Sequence, residues 1–216
     1  LNSFLESMQY AHMALYAIVF IISIVKFPLY KDSALRVLPI ILLFTLLAEA
    51  LGMYIKYIFG PPNAIIYNIY YFFYFSFFYY IFLKIIDERK FKTLIKLGIA
   101  VYWLFYAGDW ILTDFINRGF IISYMAGAGI LVFCIILYYV NILQSSRVLV
   151  IKNDLLFWVS VGLFLFYIGY IPIKIIRTWF YKPDSFFEIL LVIQFSLIII
   201  MYLFFLTGFL WMKKKS

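Results

Sequence analysis

The residues able to do chemistry in this chain are few, and most of them fall inside long apolar runs. Glu49 lies within LLAEALGMYIKYIF and Asp109 within FYAGDWIL. Lys56, Lys174 and Arg177 are cations in similar settings, and Asn68 and Gln194 are neutral hydrogen-bonding groups. An ionisable group in hydrocarbon costs roughly 2.5–3.5 kcal/mol on insertion scales, so each one needs a partner or a task. Glu49 near the middle of its run is therefore either paired or protonated, and it is the residue whose position says most. Two carboxylates such as Glu49 and Asp109 can serve as general acid and base if folding brings them together. Set against cations, they can instead hold a polar ligand. A third use is mutual neutralisation that only pins helix packing.

Helical spacing groups these residues into stripes. Glu49, Met53 and Lys56 stand at i, i+4 and i+7 and share a face. Tyr102, Tyr106, Asp109 and Thr113 form a second stripe, and Tyr167, Tyr170, Lys174 and Arg177 a third. Converging stripes would surround a polar pocket that faces outward and has aromatic walls. The ligand-binding residues on this reading are Glu49, Lys56, Asn68, Asp109, Lys174, Arg177 and Gln194. The competing readings are a Glu49 ion pair with Lys56 or Lys174, cations that snorkel to headgroups, and a proton or ion path through Glu49.

Other chemistries lack their residues. One cysteine, Cys134, and one histidine, His12, allow no internal disulfide and no site with several Cys or His ligands. Cys134 lies in LVFCIIL, where a thiol serves as a small hydrophobe. No lysine inside the last apolar run offers a Schiff base. No Ser–His pair is apparent, and no metal or organic cofactor is expected. The Gly-Asp dipeptide at 108–109 resembles those of intramembrane aspartyl proteases and lysoplasmalogenase-type hydrolases, but their other motifs are missing. An enzyme is thus the weaker expectation.

The elements that must position these residues follow from composition. Of 216 residues, 67% are hydrophobic and 13% charged, against about half and a quarter in soluble domains. A water-facing surface cannot be built from that inventory. Apolar windows of membrane-spanning length run at 8–27, 37–59, 64–86, 95–116, 119–143, 154–177 and 187–211. Short connectors separate them, so the expectation is an all-α bundle of seven transmembrane helices forming one domain over 1–216. The first window has no basic n-region and no small-residue cleavage site, which argues against a signal peptide.

Lys and Arg fall unevenly on alternate sides of these windows. One side collects thirteen (26, 31, 36, 84, 89, 90, 92, 96, 147, 152 and 213–215), the other five (56, 118, 174, 177 and 182). The richer side should be cytoplasmic, which puts the N-terminus outside and the C-terminus inside. The net charge of +8 is then a topology signal and an attraction to anionic lipid, with no call for a nucleic-acid partner. FTLLAEALGMYIKYIF (44–59) and VGLFLFYIGYIPIKII (161–176) echo one another and suggest a three-plus-one-plus-three duplication. ISYMAGAGILVF places small residues at close-packing spacing, and Pro172 should kink the sixth helix.

The run IIYNIYYFFYFSFFYYIFLKI (65–85), DERKFK after it, and NDLLFWVSVGLFLFYIGY (153–170) carry a resemblance of cadence. With them the chain resembles the uncharacterised seven-helix membrane proteins of Bacteroidetes type, and through those the heptahelical sensor regions linked to bacterial histidine kinases. The resemblance implies a receptor-like or sensor-like protein of a bacterial inner membrane. The expected partners are membrane lipids and a small polar or amphipathic ligand, the latter read from the polar residues in the outer halves of the spans. The sequence closes at Lys-Lys-Lys-Ser without an output domain, so the expected output is a separate signalling partner. The rival functions are a small proton-coupled carrier using Glu49 and an intramembrane lipid hydrolase using Glu49 and Asp109.

Overall fold

Wherever the sequence offers about twenty apolar residues without a break, the chain forms one continuous α-helix. The computed structural model describes residues 2–60, 63–144, 151–180, 182 and 185–212. Arg147 and Lys213–Lys215 from the charge count lie outside them. The helices are α1 (Asn2–Val25), α2 (Leu38–Phe59), α3 (Ala64–Ile85), α4 (Arg89–Leu112), α5 (Ile121–Leu143), α6 (Leu155–Trp179) and α7 (Ser185–Trp211). Short 3-10 turns at Phe27–Leu29 and Ala34–Val37 join α1 to α2, and the described residues contain no strand. All seven helices are long and apolar enough to cross a membrane, with candidate spans of 22–27 residues. At 1.5 Å per residue the shortest covers about 33 Å, slightly more than a hydrocarbon core. Large apolar side chains also face outward, among them Leu104 (73% exposed), Ile111 (79%) and Leu112 (85%). Such a surface belongs in lipid. The chain is a multi-pass integral membrane protein.

Helix α1 starts at Asn2, six residues before its apolar window, and both ends of α4 differ from the sequence reading for physical reasons. Helix α4 starts at Arg89, not 95, because charged residues continue a helix past the apolar window when their side chains stay solvated; the Lys92 amide already donates to Glu88 O at 3.0 Å. The same helix stops at Leu112, short of 116. Asp114 there accepts from the amides of Ile116 (3.0 Å) and Asn117 (3.1 Å) in an Asx turn that competes with further helix. Pro172 is exposed, and α6 continues through it.

The chain divides into two compact units, one of Tyr30–Val148 and one combining Leu1–Leu29 with Leu149–Ser216. In the first, α3 packs against α2, α4 and α5. Its core is aromatic: Phe75, Phe78, Tyr79, Phe82 and Tyr102 are fully buried. Gly127 of α5 lets these rings approach, because a Cβ there would sit 2.7 Å from Phe75 and 2.9 Å from Tyr102. The Tyr79 hydroxyl donates to Gly127 O at 2.7 Å, so the expected small-residue stripe is an intramolecular packing face. Cys134 lies on the same helix and is fully buried, as a small hydrophobe would be.

In the second unit α7 packs against both α1 and α6. Gly162 lies against the backbone of Met201 and Gly208 against Leu155 and Trp158, so α6 and α7 touch almost along their length. His12 belongs to the interior of this unit. Its ring stacks on Phe195 (centroids 5.1 Å apart) and meets Tyr16 edge-on, with Nδ1 3.1 Å from Met8 O.

Candidate functional site

Glu49 is half-buried on α2, and its chemistry is set by one phenol. The Tyr67 hydroxyl of α3 donates to Glu49 Oε2 at 3.2 Å. Gly52, one turn further along α2, makes that reach feasible, since a Cβ there would lie 2.7 Å from the Tyr67 hydroxyl. The Asn63 side chain donates to Gly52 O at 3.0 Å and ties the start of α3 to the same place. Around the pair stand Tyr70 and Tyr71, whose rings lie 5.2 Å apart, with Tyr71 6.1 Å from Tyr67. Lys56 shares the helical face of Glu49 but lies about 10 Å further along the axis, exposed in the last turn of α2. There its charge complements the C-terminal end of the helix dipole. Within this unit Glu49 is held by a phenol and by no cation.

Asn68 and Asp109 both make hydrogen bonds at the connection between α4 and α5. Helix α5 begins after Phe120, which has no side chain able to cap it. The missing acceptor comes from α4: Asp109 Oδ2 accepts from the amide of Ser123, in the first turn of α5, at 2.8 Å. A carboxylate there also faces the positive end of the α5 dipole. Asn68, only 1% exposed, latches the chain leading into that turn. Its Nδ2 donates to the carbonyls of Phe115 and Arg118, both at 2.9 Å, and its Oδ1 accepts from the Phe120 amide at 2.9 Å. The tyrosine stripe of α4 serves the same interface. Tyr106 donates to Asn68 O at 3.3 Å and Tyr102 to Tyr71 O at 3.1 Å. These groups staple α3, α4 and α5 together, and in this unit no hydrogen bond joins Asp109 to Glu49.

The remaining expected residues lie in the second unit. Lys174 and Arg177 are half-buried near the C-terminal end of α6, three positions apart, and Gln194 is half-buried on α7. The Arg177 guanidinium donates to Gln194 Oε1. Of the seven residues expected to bind a ligand, the structure therefore brings Asn68 and Asp109 to one loop and Arg177 and Gln194 to one another. Glu49 joins Tyr67, a partner that its sequence neighbourhood had not suggested. Tyr67 lies 18 residues away on the next helix, so no helical spacing could have named it. Among the described residues no group of three His, Cys, Asp or Glu side chains is placed to hold a metal ion.

No family model matches the chain, and neither a curated protein nor a solved structure matches it.

Proposed function

We propose that this integral membrane protein is receptor-like, and that Glu49 with Tyr67 recognises the polar head of a small amphipathic ligand. The observation that carries this reading is the single hydrogen bond at Glu49. Oε2 accepts from Tyr67, leaving Oε1 as an acceptor near the middle of a membrane span, where spare polar atoms are costly. Aromatic rings line the neighbourhood. A carboxyl group beside phenol faces suits an ammonium head, which can hydrogen-bond to the oxygen and lie against a ring. The hydrogen bonds that Asn68 and Asp109 make within the α4–α5 connection support a ligand set centred on Glu49, and they weigh against the carboxylate pair that a hydrolase would need. A proton-coupled carrier remains the second reading, because the same oxygen can hold a proton.

Glu49→Gln separates these readings. The protein in a neutral detergent is titrated with a decyl ammonium salt and, as a control, with decyl sulfate, and its melting temperature is followed. The proposal expects the ammonium to raise the melting temperature of the wild type and to leave Glu49→Gln unmoved. Both proteins should melt close together without probe. Equal response of the two proteins to both probes rejects recognition by Glu49. Proton flux through wild-type proteoliposomes that Glu49→Gln abolishes transfers the residue to the carrier reading.

A further inference from the structure

We infer that the end of the α6–α7 pair bearing Arg177 is a binding site for a phosphoryl oxyanion. The proposal goes beyond the Glu49 reading and uses none of its residues. The first observation is direction. Gly169 of α6 lies against Leu197 of α7, and Gly162 against Met201, so the two helices run antiparallel in a fixed register. In that register Gln194 is level with about residue 172, five positions short of Arg177. The Arg177 and Gln194 side chains lean toward one another across that offset and meet between the two levels, so the guanidinium lies on the membrane side of its own Cα. An arginine that merely snorkels would extend the other way, toward the level of the exposed Trp179 and Phe180 that follow it.

The second observation is charge. A guanidinium has five N–H donors in a planar fork, and here one is used, on a neutral amide. No carboxylate among the described residues of this unit lies within ion-pair distance of Arg177. Lys174 stands about one helical turn from Arg177 on the same side of α6. A half-buried cation with donors to spare has its natural complement in an anion that accepts several bonds at once, and the arginine fork fits a phosphate in two-point contact. The bond to Gln194 takes one donor of the fork, and the fork has four more. The phosphoryl group can come from a lipid headgroup or from a soluble phosphate.

The experiment uses the full-length protein in neutral detergent. Retention of phosphatidylglycerol and of diacylglycerol is compared by native mass spectrometry, and the shift in melting temperature on adding inorganic phosphate is measured in parallel. The decisive variant is Gln194→Glu, which places a carboxylate on the guanidinium. It should preserve or raise the melting temperature while occupying the fork internally. Phosphatidylglycerol retained over diacylglycerol by the wild type, and weakened about tenfold or more in Gln194→Glu and Arg177→Gln, supports a lipid source. A phosphate-induced shift that the same variants lose supports a soluble one. Arg177→Lys should fall between, because it keeps the charge and loses the fork. Glu49→Gln should bind as the wild type does, which separates failure here from failure of the Glu49 reading. Equal retention of both lipids with no phosphate shift overturns the site, as does unchanged binding in Gln194→Glu.

Discussion

A single asparagine holds three backbone groups of the α4–α5 connection, so its removal has a cost that can be stated. Asn68→Ala would leave the Phe115 and Arg118 carbonyls and the Phe120 amide without their partner. Each buried orphan costs about 1–3 kcal/mol, less where water reaches it, so a loss of about 3 kcal/mol is expected in denaturant titrations of the detergent-solubilised protein. Asp109→Ala should cost about 0.5–2 kcal/mol as a lost cap, and Asp109→Asn less, since an amide oxygen can still accept from Ser123. If both residues served only a ligand, neither change would lower stability. Their polar character inside apolar runs was legible in the sequence; their task was not. Asn68 acts on partners 47 to 52 residues away, across two helices, and periodicity reports only on neighbours within one helix. Asp114, on the same connection but exposed, is held below the ordinary aspartate range, chiefly by hydrogen bonds from the Asn117 side chain and amide. A depressed carboxyl contributes order above its unfolded value and loses that contribution as pH falls through its folded one. Protection of the Ile116 and Asn117 amides should therefore be full near neutrality and decline only below the ordinary aspartate range. Protection that declines in the histidine range instead would show that Asp114 is not the group in control.

Glycines show how far an element's sequence can be read. Gly127 and Gly129 lie in one small-residue stripe, and from spacing alone either could face a neighbour. Gly127 is packed against Phe75 and Tyr102, whereas a Cβ at Gly129 would meet nothing within 4 Å. On α6, Gly162 carries none of the signals that marked the stripe, yet a Cβ there would come within 2.7 Å of Met201 O, a backbone atom that cannot turn aside. Gly162→Ala should therefore destabilise the α6–α7 pair by about 1–3 kcal/mol. Gly129→Ala should be neutral or stabilising by up to about 1 kcal/mol, from helix propensity. Comparing the two melting temperatures checks the assignment, and a loss at Gly129 as large as at Gly162 would contradict it. The helices themselves were legible because lipid demands long apolar runs with every backbone group satisfied internally. Their ends were less so. Arg89, Lys90 and Lys92 extend α4 as a solvated helix that hydropathy cannot see, and Asp114 ends its other end through a local turn.

At the scale of the whole chain, the remaining question is which way it crosses the membrane, and the charges make a definite prediction. The connection between α3 and α4 holds Asp87 and Glu88, with Arg89, Lys90 and Lys92 in the first turn of α4. The connection between α6 and α7 includes Lys182, which is exposed. Three helices separate these connections, so with each helix crossing once they are expected on opposite sides of the membrane. Positive charge near span ends is retained in the cytoplasm, while acidic residues contribute little to orientation. The α3–α4 connection is therefore predicted inside and the α6–α7 connection outside. Labelling with a membrane-impermeant maleimide suits this chain, because its one native thiol, Cys134, is fully buried within α5 and gives little background. Lys182→Cys should react in intact cells, and Lys90→Cys only after permeabilisation. Each variant lowers its side by one positive charge, a small change against thirteen and five, so neither should invert the protein. The reverse labelling pattern would place the Arg177 end of α6 at the cytoplasmic face. It would then change which leaflet, or which pool of soluble phosphate, could supply an anion to that site.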